Sequence, residues 1–355
     1  MDDARVAAAV APADDAPYLK SITACGDSRP LVVSQPIYSA TGIKLLDTGA
    51  KIDSRIFERL FSHSLAEPID RCVTSSEAVR HRDLVEATRA LVAAAPLLAH
   101  FDAGLGAQSA RVWSALGTCP LPPPIAMRLT VVRDGTPALY EHSLRAAFIA
   151  LFIGVRARFS EPDLELLATA ALLHDIGMMH ADPALYEGEK PLDLAARRSL
   201  YAHPMTAQLI AQREPLVNPA IATAIAQHHE RLDGTGYPRG LAGDAITRLA
   251  RVLMLVEVVS AVVEHQFEQP ELQLSLILRL NHRSFDPGLC DAVLGALPSL
   301  ALEEGRMPCD RSEYELVTAL IDAWQHARAG ARPAADDAAD FIDARIHRLR
   351  RWLAD

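Results

Sequence analysis

The stretch "RVLMLVEVVSAVV", residues 251–263, sets one carboxylate, Glu257, inside an otherwise apolar run. Val252, Leu253, Met254, Leu255, Val256, Val258 and Val259 lie around it, so a helix here is apolar on every side and must be buried all round. An unpaired carboxylate in such a place is very costly. The fold is thereby constrained twice: other elements have to enclose this helix, and Glu257 has to meet a cation. That cation is an arginine such as Arg251, or a metal ion.

The second half of the chain can supply the enclosure. Apolar spacing predicts helices over 137–157, 161–178, 203–213, 217–229, 246–264, 271–280 and 287–297. Half of the 355 residues are hydrophobic and only 5% are aromatic, which favours a mostly α protein over a sheet. A net charge of −10 offers no basic footprint, so no DNA or RNA partner is expected. The longest apolar stretch is too short to span a bilayer, and the N-terminus "MDDARVAAAVAPADDAP" lacks the apolar core of a signal peptide. Five scattered cysteines without a CxxC argue against a zinc ribbon or disulfide framework and for a reducing, cytoplasmic location.

Residues 1–28 read as a flexible acidic leader, and 29–118 as a small α+β accessory domain. In the latter, "LVVSQPIYSATGIKLLDTGAKI" has β-branched runs broken at Thr41-Gly42 and Thr48-Gly49, as in a hairpin. Asp53 can cap a helix with Ile56, Phe57, Leu60 and Phe61 on one face, and further helices follow from Ser76 to Leu116. "CPLPPP" at 119–124 reads as a stiff linker before a helical domain, 125–326. Residues 327–355 hold a second linker and an amphipathic helix with Ile342, Ile346, Leu349 and Trp352 aligned, a docking face.

Five places in the helical domain carry metal-type ligands. His142 stands on an apolar helix; His174-Asp175 ends another just before Gly177. An aspartate at a helix C-terminus opposes the helix dipole, a conflict that a bound cation removes. Pro204 suits a first helical position and leaves His203 at the N-cap. His228-His229 closes "NPAIATAIAQHH", where consecutive side chains about 100° apart can converge only on something beyond the helix end. Glu230 makes "HE", but Asp233 stands where a HExxH protease needs its second histidine. With Glu257, the set is five imidazoles and two carboxylates from separate helices. It suits two metals sharing a carboxylate, such as iron or manganese, better than one tetrahedral zinc.

His142, His174-Asp175, His203-Pro204, "HHERLDGTGYPRGL" and the carboxylate in "ARVLMLVEVV" together resemble the HD-GYP domain, from about Tyr140 to "FDPGL" at 285–289. This is the cyclic di-GMP phosphodiesterase branch of the HD superfamily. The resemblance implies an HD-type helical bundle and two divalent transition-metal ions, iron or manganese. One ion would be held by His142, His174 and Glu257, the other by His203, His228 and His229, with Asp175 bridging. Some members hold a third ion through a glutamate whose place is taken here by Ala138, so two are expected. Asp175 and His174 are then the catalytic pair, and two ions sharing a water lower its pKa for attack at phosphorus. The implied substrate is cyclic di-GMP, opened to pGpG and on to GMP. Asp233, Gly234, Gly236, Tyr237 and Pro238 form a lip beside the metals, which the family also offers to diguanylate cyclase domains; a homodimer is left open.

The chain departs from the family around its phosphate contacts. Met178 replaces the lysine of HDIGK, Glu257 replaces an aspartate, Ser260 stands at a second aspartate, and Gln266 and Gln269 replace the cations of RPYK. Arg231, Arg239 and Arg251 are the candidates to substitute, and His180 and His265 read as surface histidines. Two functions remain open on this reading: a metal-dependent phosphodiesterase of reduced activity, or a silent module that binds nucleotide or a cyclase domain.

Overall fold

The computed structural model describes residues 16–181, 198, 200–265, 267 and 269–298. The second linker and amphipathic helix read within 327–355, and Gln266, lie outside the described residues.

At the centre is α8 (Pro137–Arg156), with Ala146 through Ile153 buried in an unbroken run. By length and composition it could cross a bilayer, but 72% of its apolar window is buried against other helices. It packs on α9 (Glu161–Leu173) and on α12 (Arg248–Glu264). Ser160 starts α9 by accepting from the Asp163 amide, and Thr247 starts α12 by accepting from the Ala250 amide. Two more helices, α10 (His203–Gln212) and α11 (Pro219–Gln227), pack on each other, and α11 lies on α9 and α12. α13 (Pro270–Leu280) and α14 (Pro287–Leu294) close the far side of α12. The enclosure that Glu257 demanded is therefore provided by five helices.

Before α8, the chain forms α1 (Ala16–Ser28), β1 (Leu31–Val33), β2 (Ile37–Tyr38), β3 (Lys44–Leu46), α2 (Phe57–Phe61), α3 (Ile69–Cys72) and β4 (Val73–Ser75). Four helices follow: α4 (His81–Ala94), α5 (Pro96–Leu105), α6 (Ser109–Thr118) and α7 (Pro123–Gly135). β2 and β3 make the expected antiparallel hairpin across Thr41-Gly42, whereas β1 pairs with the distant β4. Asp53 caps as expected, its carboxylate accepting from the Arg55 amide, but Phe61 is left exposed because α2 is only five residues long.

Three expectations are corrected. Residues 16–28 are not a leader: α1 buries Tyr18, Leu19, Ile22 and Cys25 against α7 and α2. The stretch 119–124 is not a spacer between separate bodies. Cys119 is buried, α4 and α6 pack on α8 across it, and Pro123 and Pro124 begin α7 within one continuous apolar core. The buried ion pair of Arg128 with Asp70, and Arg71 reaching Glu214 at 3.2 Å, fasten this half to the second. Finally, the helix expected over 161–178 stops at Leu173, and Ile176–His180 is a 3-10 turn.

Candidate metal centre

The helix end at Leu173 is what builds the site. His174 is the C-cap of α9, and its Nδ1 lies 2.8 Å from the Ala171 carbonyl, one of the acceptors a helix end leaves free. His228 caps α11 in the same way, with Nδ1 2.6 Å from the Ile225 carbonyl. His203 is not the N-cap of α10 but its first residue. Ala202 already has helical dihedrals because a helical turn precedes it, and His203 Nδ1 sits 2.7 Å from the Leu200 carbonyl. His142, inside α8, uses a side chain instead: its Nδ1 is 2.9 Å from Glu264 Oε1. A carbonyl or carboxylate only accepts, so each of these four Nδ1 atoms carries the hydrogen.

Their Nε2 atoms therefore present lone pairs, and they converge. His142 Nε2 and His174 Nε2 are 3.2 Å apart, as are His203 Nε2 and His228 Nε2. Asp175 lies between the two pairs. Its Oδ1 is 3.1 Å from His203 Nε2 and 3.5 Å from His228 Nε2; its Oδ2 is 3.5 Å from His142 Nε2 and 3.6 Å from His174 Nε2. Each carboxylate oxygen thus serves one pair. Glu257 Oε1 lies 3.0 Å from His174 Nε2, and His229 joins Asp175, His203 and His228 in a group whose donor atoms all lie within 4.8 Å.

Two buried oxygens here, Asp175 Oδ1 and Glu257 Oε1, make no hydrogen bond. Facing lone pairs with orphaned carboxylate oxygens call for cations, and imidazole with carboxylate is a donor set that iron, manganese or zinc accepts. The metal-free charge distribution says the same. Burial pulls His174 down, yet Asp175 and Glu257 outweigh it and raise it to about 9. Burial pushes Glu257 up, yet His174 outweighs it and brings it down to about 2. Asp175 is likewise held well below the carboxylate range, against its burial, by His174, His203 and His228. His228 and His229 are lowered by burial, with the His228 charge adding to the latter. Two carboxylates stay ionised, and protons on imidazole take the place a cation would hold.

The lip stands beside this cluster. Tyr237 stacks on His229 with ring centroids 4.6 Å apart, and Tyr201 packs on its other side at 4.6 Å. The Tyr237 amide donates to the His229 carbonyl at 3.1 Å, and Asp233 accepts from Ser284 at 2.7 Å. Gly236 runs over the backbone of Glu230, where an added Cβ would sit 2.4 Å from Glu230 Cα. Gly177 is under the same constraint, its absent Cβ 2.2 Å from the His203 carbonyl oxygen.

Among the candidate cations, Arg251 is excluded. It is bound to Asp244 at 3.0 Å and Asp286 at 3.2 Å, so it neither meets Glu257 nor is available to substrate. Arg239 is exposed. Arg231 is partly buried over the Phe285 ring, its pKa lowered by that burial, with Glu257 the largest charge acting on it. Met178 is buried but, unlike Met179, is outside the apolar core. His180 packs by Tyr18, and His265 bonds the Ala261 carbonyl at 2.8 Å, so neither is among the ligand groups.

Sequence reasoning missed two carboxylates. Glu264 was detectable as a second acid seven residues beyond Glu257 on one helix. Glu230, fully buried, accepts from the Arg239 and Leu241 amides at 2.8 and 2.9 Å and shapes the lip; only its place in the signature hinted at it.

Residues 128–289 match the family model described as HD domain. This stretch of the chain is an HD domain. Its metal-type ligands all lie within the matched HD domain. Over 183 residues the chain is 32% identical to the 3'3'-cGAMP-specific phosphodiesterase 3 of Vibrio cholerae serotype O1, covering 50% of this chain and 39% of that one. It is 34% identical over 140 residues to a cyclic di-GMP phosphodiesterase of Pseudomonas aeruginosa, covering 38% and 33%. The chain thus spans well under half the length of these relatives. Among solved structures, an HDG"Y"P protein from Bdellovibrio bacteriovorus aligns with a TM-score of 0.43 at 13% identity, over 78% of this chain and 97% of that one.

Proposed function

We propose that this chain is a metal-dependent phosphodiesterase acting on cyclic di-GMP, opening it to pGpG and onward to GMP in the cytoplasm. The observation that carries this reading is the Asp175 carboxylate, one oxygen turned to His142 and His174 and the other to His203 and His228. His142, His174 and Glu257 would hold one divalent transition-metal ion, iron or manganese; His203, His228 and His229 would hold the second. When bound, two such ions would lower the pKa of a water and neutralise phosphate charge, which a chain of net charge −10 needs.

The protein's own groups do the rest. Nδ1–H bonds lock the imidazoles of His142, His174, His203 and His228 so that Nε2 stays turned inward, which fixes ring tautomer and orientation. Tyr237 covers His229 and limits water on that side. Glu257 is the largest charge acting on Arg231, which makes Arg231 the candidate for a phosphate contact if the lysine absent at Met178 has a substitute. We further propose that the loop from Asp233 to Pro238 meets diguanylate cyclase domains.

One observation favours a second reading, a silent binding module: the phosphate-contact cations are replaced at Met178 and Gln269, and Arg251 is engaged elsewhere. The deciding experiment is metal analysis of anaerobically prepared protein, with turnover of cyclic di-GMP and 3'3'-cGAMP measured under Mn²⁺ and Fe²⁺. The expected result is about two ions per chain, as a bridged pair requires, and slow turnover lost in Asp175→Ala. Two ions with no turnover of either nucleotide would favour the silent module, and fewer than about one ion per chain would refute the metal reading.

A further inference from the structure

We propose that Glu264 is a positioning residue for the ion held by His142, with Arg145 fixing Glu264 in turn; the inference rests on the two-ion reading above. His174, His203 and His228 spend their Nδ1–H on a backbone carbonyl three residues back, at places where the helix ladder is incomplete: α9 and α11 end there, and Pro204 has no N–H to give the Leu200 carbonyl. His142 has no such choice. It stands in the second turn of α8, where carbonyls behind it are taken by the helix ladder. Its ring must be oriented by a side chain, and Glu264 Oε1 does so from α12 at 2.9 Å. Arg145, one turn further along α8, reaches the same oxygen at 3.3 Å and Glu141 at 3.3 Å.

Seven residues separate Glu257 from Glu264, which at 100° per residue brings them within about 20° of one face of α12, about 10 Å apart along the axis. The same helix therefore supplies one ion with a direct ligand and with the group that aims another ligand. A carboxylate on Nδ1–H also makes the imidazole a stronger donor than a carbonyl does, and losing such a partner commonly weakens metal binding 10–100-fold. The alternative is an exposed ion pair between Glu264 and Arg145 with no effect on metal; the Glu264 side chain is 31% exposed, so this is a real competitor.

The test is Mn²⁺ titration of the chelator-stripped full chain against a competing chromophoric chelator, for the wild type, Glu264→Ala, Glu264→Gln and Arg145→Ala. Expected for Glu264→Ala is affinity about 10–100-fold weaker at one ion and unchanged at the other. Glu264→Gln, which keeps an acceptor oxygen at the same reach, should recover part of that loss, and Arg145→Ala should show a smaller loss at the same ion. Thermal unfolding of the stripped proteins should be close to wild type. Two ions bound by Glu264→Ala with wild-type affinity would overturn the inference alone, as would an equal loss at both. A wild type that binds no ion would overturn the metal reading itself and the inference with it.

Discussion

Replacing Glu257 by glutamine keeps the shape of the side chain and removes its charge, and the metal-free protein responds in a way the site geometry specifies. Glu257 Oε1 lies 3.0 Å from His174 Nε2, and His174 is wholly buried. Against the pull of burial, Asp175 and Glu257 raise the imidazole from 6.5 to about 9, and His174 lowers the carboxylate from 4.5 to about 2. Each displacement is on the order of 3 kcal/mol and is what remains after the opposing effect of burial. Asp175 shares the hold on His174, so Glu257→Gln is expected to cost about 2–3 kcal/mol.

The pH dependence has a definite sign. A raised histidine stabilises fully below its unfolded value of 6.5, and that contribution is lost as pH rises through about 9. A depressed carboxylate stabilises above 4.5, and that contribution is lost as pH falls through about 2. The gap between wild type and Glu257→Gln should be widest between 4.5 and 6.5 and should close above about 9. Urea unfolding of chelator-stripped protein at about pH 6 and about pH 9.5 reads this directly. Adding Mn²⁺ should reopen the gap at high pH, since a metal takes deprotonated imidazole and ionised carboxylate. A gap of the same size at both pH values without metal would refute the charge pairing and leave Glu257 as a packing residue.

Three further outcomes follow from the same geometry. Gly177→Ala forces a Cβ to within 2.2 Å of the His203 carbonyl oxygen, so it should cost about 1–3 kcal/mol and lower metal content chiefly at the His203 ion, read by unfolding and elemental analysis. Glu230→Gln weakens a charge-assisted grip on the Arg239 and Leu241 amides; it should cost about 1.5–3 kcal/mol and open the lip to limited proteolysis while both ions stay bound. Met178→Lys should raise cyclic di-GMP turnover by about tenfold or more, equivalent to at least about 1.4 kcal/mol of phosphate stabilisation, with metal content unchanged. No gain there, together with loss of turnover in Arg231→Ala, would assign the phosphate contact to Arg231.

Read by itself, the sequence determined what is local along the chain. Helical spacing located α8 through α14 to within a few residues apart from the end of α9, because apolar periodicity acts over one or two turns. It also named seven ligand-type side chains that the fold brings together, since histidines and carboxylates set on apolar helices or at their buried ends need polar partners. It misjudged residues 16–28 and 119–124, where composition suggested loose chain and only contacts with α7 and α8 show otherwise. Partner choice was equally out of reach. Arg251 lies six residues from Glu257 yet binds Asp244 and Asp286, while Glu264 joins His142 across 122 positions. The split of Asp175, one oxygen to each histidine pair, exists only once α8, α9, α10 and α11 are docked. Spacing along a helix sets which face a side chain leaves from; which group it meets there is decided by rotamer and packing between elements far apart in the chain.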